Sequence, residues 1–300
     1  MEVFEKTVYT FSPENAPIGR AKDGDILTFR TEDCFGGQIH SESDLVHELD
    51  LSKANPATGP VFIEEAEPGD SVVVDVLDIS IGEKGFGVVI PETGPLCDLT
   101  EARTKIIPIE NGMAKFNDIT WPVDPMIGVL GLAPASGAVV SGLCGNHGGN
   151  MDSNKIKKGA RVYLPVRVKG GLLAVGDLHA TMGDGELSGA GLEIGGEVVL
   201  RVRVLKDFRL DWPLTELKDR YYVNVTGKAY DDALWEGCHE VARLIRDAYG
   251  WDATDILMYL SMQGSVEVNQ GVKPIHGEMF NLRIGIPKVD AKPPIVPEIS

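Results

Sequence analysis

In the run KGARVYLPVRVKG, beginning at Lys158, apolar side chains fall at every second position. Val162, Leu164, Val166 and Val168 alternate with Arg161, Tyr163, Arg167 and Lys169. Val198, Leu200, Val202 and Val204 repeat the pattern, with Glu197, Arg201 and Arg203 opposite. A period of two puts one set of side chains on each face of a pleated strand, so these runs read as half-buried antiparallel strands. Each is entered through a glycine turn, as are DGDILTF at Asp23, PGDSVVVDVLDISI at Pro68 and GGEVVLRVRVLKD at Gly195. That recurrence fits either the turn chemistry every hairpin needs or an internal duplication. Several such strands predict a mainly β chain with sandwich-like antiparallel sheets.

The period changes after Tyr230. Leu234, Cys238, Val241, Ile245 and Ala248 share one face of a helix predicted over 231–249, with Gly250 as its stop. Asp252 and Asp255 open a second helix through ILMYLSM, giving a C-terminal helical hairpin, and SVEVNQGV reads as a further strand. Pro122, Pro125, Pro134 and the glycines of GVLGLAPASG (128–137) interrupt the middle. They suggest a β part at 1–130 and a second at 131–300 carrying helices near 231–262, or else one compact unit.

Acidic residues number 45 against 28 basic ones, a formal net charge of −17. Such a field repels nucleic acid and anionic lipid and suits a small neutral or cationic ligand. No apolar stretch is long enough for a membrane span. Cys34, Cys97, Cys144 and Cys238 form no CxxC pair and read as free thiols, and MEVFEKTVYTF lacks a signal-peptide order, so the expected location is the cytoplasm.

Three glycine-rich stretches concentrate the chemistry. GDLHATMGDGELSGAGLE (176–193) holds four acids, one histidine and five glycines. Asp177 and His179, two apart at a strand end, should share a side, and Asp184 and Glu186 follow on a backbone that glycines let bend. The stretch is either a solvated Asx-rich turn or a loop shaped around zinc or calcium. It matches neither HExxH nor the calcium loop of EF-hands. SGLCGNHGGNMDSN (141–154) carries His147, Asn150 and Asp152. The backbone N–H groups of Gly148 and Gly149 there read either as a nest for an oxyanion or as part of a plain hairpin loop. CFGGQIHSESD (34–44) carries His40 and Glu42, and its Cys34 reads as a small buried hydrophobe more than a nucleophile. His47 and His239 read as surface or helix-flank residues, and His276 in KPIHGEMF has no clear role. GxSxG, SxxK, P-loop and dinucleotide fingerprints do not occur.

Taken together, LPVRVKGGLLAVGDLHATMGDGELSGAGLEIGGEV (164–198), CFGGQI at Cys34, PGDSVVVDVLDI at Pro68 and HGGNMD at His147 resemble the acetamidase/formamidase family over essentially the whole chain. The resemblance implies sandwich-like sheets with added α/β elements, a homo-oligomer, and hydrolysis of formamide or acetamide to the acid and ammonia. It also implies a divalent metal, zinc or calcium, near Asp177, His179, Asp184 and Glu186, with His40, Asn150 and Asp152 completing the site. One departure is Met182, where a glutamine is frequent and where a less polar pocket would follow if that side chain met substrate.

The expected chemistry is attack of water on an amide carbonyl. Asp177, His179, His40 and Asp152 are the expected metal ligands, and Glu186, Asp184 and His179 the catalytic groups. Gly148, Gly149 and Asn150 are expected to face substrate and oxyanion. Two rival expectations are a non-catalytic calcium-binding β-sandwich module and a hydrolase of a larger or cyclic amide.

Overall fold

The alternating runs become the strands Arg161–Pro165 and Gly196–Leu205, and both enter one sheet. The computed structural model describes residues 3–272 and 279–299, so His276 lies outside the described residues. Among these, nine strands form the first sheet, in the order Val3–Phe4, Ile26–Thr31, Gly196–Leu205, Ser71–Ile81, Arg161–Pro165, Leu214–Glu216, Arg220–Gly227, Phe280–Pro287, Ser265–Gln270. The second sheet is built around Leu173–His179, which pairs with Met126–Gly131, Ala57–Ile63 and Glu193–Ile194. Strands from before and after residue 130 interleave in both sheets. The architecture is predominantly β with some α/β mixing and a C-terminal helical hairpin.

The main core lies between the sheets. Val72, Val74, Val198 and Val202 meet Ile127, Leu130, Leu173 and Val175 there, all fully buried. The opposite face of the first sheet is also covered over part of its width. Tyr163, on the polar face by sequence alternation, is buried there with Val73, and its hydroxyl donates to Glu216 at 2.6 Å. The cover is the helical hairpin, α1 (Tyr230–Tyr249) and α2 (Ala253–Gln263), packed on Val223, Val225 and Ile284.

Gly250 ends α1 in the left-handed region (φ +72°), and Asp252 caps α2 by accepting from the N–H groups of Thr254 and Asp255. The buried stripe of α1 is turned slightly from the sequence expectation. Ala233, Gly237, Val241, Leu244 and Ile245 are buried, while Leu234, Cys238 and Ala248 flank them. Gly237 explains the turn: a Cβ there would stand 2.5 Å from Ile284 Cγ1, so the helix makes its closest approach at its least bulky residue.

No helix of the described residues is long and apolar enough to cross a membrane. Replacing Ile245, fully buried between α1 and the sheet, by alanine should cost about 2–5 kcal/mol. The same change at Leu257, 64% exposed on α2, should stay below about 0.5 kcal/mol. Urea denaturation of the two variants would check the assignment of the buried face.

Candidate active site

The strand Leu173–His179 changes face partway along. Leu173 and Val175 point into the main core, and so do Leu178 and Ala180, although regular alternation would send Leu178 the other way. The switch happens at Asp177, whose φ of +55° is left-handed. The neighbouring strand shifts at the same rung: Ile127 and Leu130 face the core, and Gly128 lies opposite Asp177, between the ladder pairs Ile127–Leu178 and Val129–Gly176. A regular strand would aim Asp177 and His179 into apolar packing. The kink turns both to the other side while keeping them together, with His179 Nε2 3.5 Å from Asp177 Oδ1.

Three more segments bring polar groups to this point. Glu193, in the short strand paired with Leu173–His179, places Oε1 3.2 Å from His179 Nε2. Glu186 arrives on the glycine loop, its Oε1 3.8 Å from the same nitrogen. Asp152 follows the Gly148–Asn150 strand, where its backbone N–H donates to the Gly128 carbonyl. All five side chains are buried. Asp152, Glu186 and Asn55 share the left-handed backbone of Asp177, with φ of +45°, +44° and +50°. Such conformations cost free energy in non-glycine residues and collect at functional sites.

Each acid has an oxygen fixed by a neutral N–H, and in three of them the other oxygen has no partner among the described residues. Asn55 Nδ2 donates to Asp177 Oδ2 at 3.0 Å, and Asn150 Nδ2 to Asp152 Oδ2 at 2.5 Å. Gln270 Nε2 donates to Asp152 Oδ2 at 3.0 Å and to Glu186 Oε2 at 2.8 Å, and the Gly191 N–H to Glu193 Oε1 at 2.7 Å. Asp177 Oδ1, Asp152 Oδ1, Glu193 Oε2 and both His179 ring nitrogens have no hydrogen-bond partner among the described residues. Buried polar atoms are rarely left so, and a cluster of them marks a place for a ligand or ion. The donor atoms form two adjoining groups, Asp152 with His179 and Glu186, and Cys34 with Asp177 and Glu193, each within 4.8 Å. Either group can hold a divalent cation. Gly128 keeps the space open, since a Cβ there would stand 2.7 Å from both Asp152 Oδ1 and Asp177 Oδ2.

Charge is held tensely here. Burial, then Glu186 and Asp177, raise the Asp152 carboxyl well above the usual range. Burial also raises Glu186, and it pushes Glu193 up to about 8 against the pull of His179. Burial alone would lower His179, but Glu193 and Asp177 outweigh it and raise the imidazole strongly. Burial, then Glu193 and Asp177, raise the Cys34 thiol, which disfavours a thiolate nucleophile. The cavity, partly open to solvent, has a volume of about 40 Å³, and Cys34, Asn55, Asn150, Asp177, Glu186 and Gln270 contribute to its wall.

A family model for the acetamidase/formamidase family matches residues 5–141 and 140–272. The chain belongs to the acetamidase/formamidase family. A structure described as a predicted acetamidase/formamidase from Thermoanaerobacter tengcongensis is 37% identical, with 95% of each chain covered and a TM-score of 0.90. An acetamidase from Bacillus halodurans is 34% identical, covering 95% of this chain and 97% of that one, with a TM-score of 0.91. A formamidase from Methylophilus methylotrophus is 30% identical over 65% of this chain, which spans 63% of that relative's length.

Within this family member, the structure brings together Asp177, His179, Glu186, Asp152 and Asn150 from the residues singled out by sequence. It does not bring Asp184 or His40 to them. Asp184 has a side chain 47% exposed and accepts from Arg283 Nη2 and Asn154 Nδ2, each at 2.7 Å. Burial would raise its carboxyl, but the Arg283 guanidinium and other donors outweigh that and lower it. His40 is exposed, and its backbone N–H donates to Asp44. Gly148 and Gly149 lie in a strand paired on both sides, so ladder partners flank that backbone where an oxyanion nest was expected. Met182 is buried and is not among the residues lining the cavity.

Sequence reasoning passed over Asn55, Gln270, Gly128 and the functional placement of Cys34 and Glu193. Glu193 closes the 176–193 stretch and stands two residues past Gly191, a spacing that offered a signal. The amides offered none, because Asn and Gln occur in every kind of loop.

Gly128→Ala should push the two carboxylates apart and destabilise the chain by about 1–3 kcal/mol, read by urea denaturation. His147 tests the same loop differently. It is buried against Phe11, its Nε2 lacks a partner among the described residues, and burial lowers it to about 4. With a lower pKa folded than unfolded, the unfolded chain takes up the proton first, so stability falls as pH drops from about 6.5 to about 4. That loss is worth roughly 3 kcal/mol. His147→Phe should flatten stability over this window, and an unchanged slope would assign it to other groups.

Proposed function

We propose that this chain hydrolyses a short linear amide, formamide or acetamide, to the carboxylic acid and ammonia. The observation that carries this reading is the cavity itself: about 40 Å³ walled by Asp177, Glu186 and Glu193, with His179 Nε2 within 4 Å of all three acids. A water needs roughly 10–15 Å³ by the same measure, a scale that favours a substrate of a few heavy atoms over an aromatic amide. The names of the Methylophilus formamidase and the Bacillus acetamidase agree with that size. A neutral substrate also avoids the repulsion an anion would meet from a chain of net charge −17.

Glu186 is the group best placed to move protons. Its Oε1 stands 3.8 Å from His179 Nε2, while Oε2 is held by Gln270. In this reading Oε1 takes the proton of the attacking water and delivers it to the departing nitrogen, which leaves poorly unless protonated. Glu193, which keeps a proton near neutral pH, is a second carrier beside His179. Asn150 Oδ1 is buried without a partner among the described residues and accepts the substrate N–H.

Asp152 and His179, grouped with Glu186, would hold a divalent ion, and Cys34, Asp177 and Glu193 form the adjoining group. A donor set with an imidazole, and a thiol beside it, suits zinc better than calcium, which prefers oxygen alone. When bound, such an ion supplies Lewis acidity to the carbonyl and to water. Asn55 and Asn150 hold the outer oxygens of Asp177 and Asp152, which keeps the inner ones turned to it.

Ammonia release from formamide, acetamide and benzamide by zinc-supplemented protein tests the reading. The first two should be turned over and benzamide should not. Glu186→Gln should lower kcat by about 10²–10⁴-fold with an unchanged Tm. No ammonia from either small amide would sink the proposal.

A further inference from the structure

Gln270 ends the edge strand Ser265–Gln270 of the first sheet, far in sequence from every acid it touches. Its side chain is 5% exposed, and one amide nitrogen reaches two carboxylates carried by different segments. A primary amide nitrogen has two hydrogens, one for each acceptor. An oxygen in that place would face two acid oxygens and could donate to neither, so the nitrogen orientation follows from the chemistry of its neighbours.

The backbone around Gln270 is held as firmly as its side chain. Gly185 N–H donates to the Asn269 carbonyl at 3.1 Å, and Gly271 N–H to the Gly185 carbonyl at 2.7 Å, which fastens the Glu186 loop to the strand end. Asn269 Oδ1 accepts from Arg283 Nη1, and Arg283 Nη2 donates to Asp184 Oδ1, both at 2.7 Å. Arg283 is fully buried, so this latch has little freedom.

We infer that Gln270 is a positioning residue that sets the separation and rotation of Asp152 and Glu186, so that one oxygen of each is turned to His179. The inference rests on the amide-hydrolase reading of the site but concerns a different residue and a different act. Glu186 moves the proton, and Gln270 determines which of its oxygens does so. A neutral donor suits the task. It donates to both acids without introducing a group that would titrate.

The experiment compares Gln270→Met, of similar length with no donor, and Gln270→Glu, of the same shape without the second hydrogen. For each, kcat and KM for formamide, Tm and a crystal structure are measured. Both variants should lose about 10–100-fold in kcat, with KM changed less than about threefold and a Tm that still leaves the protein folded at the assay temperature. The crystals should show the Asp152 and Glu186 carboxylates rotated or farther apart. A kcat within threefold of the unmodified enzyme, or carboxylates that keep their places in either variant, overturns the inference. If the unmodified protein releases no ammonia, the amide-hydrolase reading fails alone, and the carboxylate positions still decide for or against Gln270. Should Gln270→Met not fold, Gln270→Glu carries the comparison.

Discussion

Four carboxylates and an imidazole share one water-poor space, and the rest of the molecule is arranged around the cost of keeping them there. Burial disfavours every charge, and the acids disfavour one another. Two features offset this. Each acid accepts a hydrogen bond from a neutral N–H, supplied by Asn55, Asn150, Gln270 or the Gly191 backbone. His179 stands within 4 Å of Asp177, Glu186 and Glu193 together, so a single positive or electrophilic centre serves several negative ones. An arrangement that leaves inner oxygens unpartnered is unfavourable for a core and suited to a place where something binds.

The sandwich supplies the stiffness for this. Close-packed valines and leucines between the sheets hold the Leu173–His179 and Met126–Gly131 strands against each other. The left-handed turn at Asp177 can persist because the rungs on either side are fixed. The second cluster of apolar residues, beneath the helical hairpin, anchors the Phe280–Pro287 strand and, through it, Arg283 and Gln270's strand. Packing far from the cavity is therefore coupled to its polar wall through strand pairing and a buried guanidinium.

What could be read in advance follows from how local each feature is. The strands and α1 were legible because side-chain period depends on the residues themselves. Asp177, His179, Glu186, Asn150 and Asp152 were legible because glycine-rich stretches dense in acids and imidazole have few structural uses, and because their family resemblance is specific. The face change at Asp177 was not. Alternation correctly put Asp177 and His179 together, yet it gave no hint that both strands would shift at one rung. Tyr163 was misjudged for a related reason, since the helices that cover it come some seventy residues later. Gln270 and Asn55 were invisible because a hydrogen-bond donor from a distant strand leaves no mark near the acids it serves.

Asp184 and Glu186 show how one glycine separates two tasks. Both acids are in the same short stretch, and spacing alone would give them equal claim to the chemistry. Gly185, at φ +91°, has its N–H and carbonyl bound to Asn269 and Gly271, so the chain pivots there. Asp184 is left half-exposed against Arg283, and Glu186 is sent inward to His179 and Gln270. The outer acid is held ionised by a full cation, a partner that fixes the loop. The inner one meets only amide donors and an imidazole, and burial raises its affinity for a proton. A group that must take up and release a proton needs the second environment, and a latch needs the first.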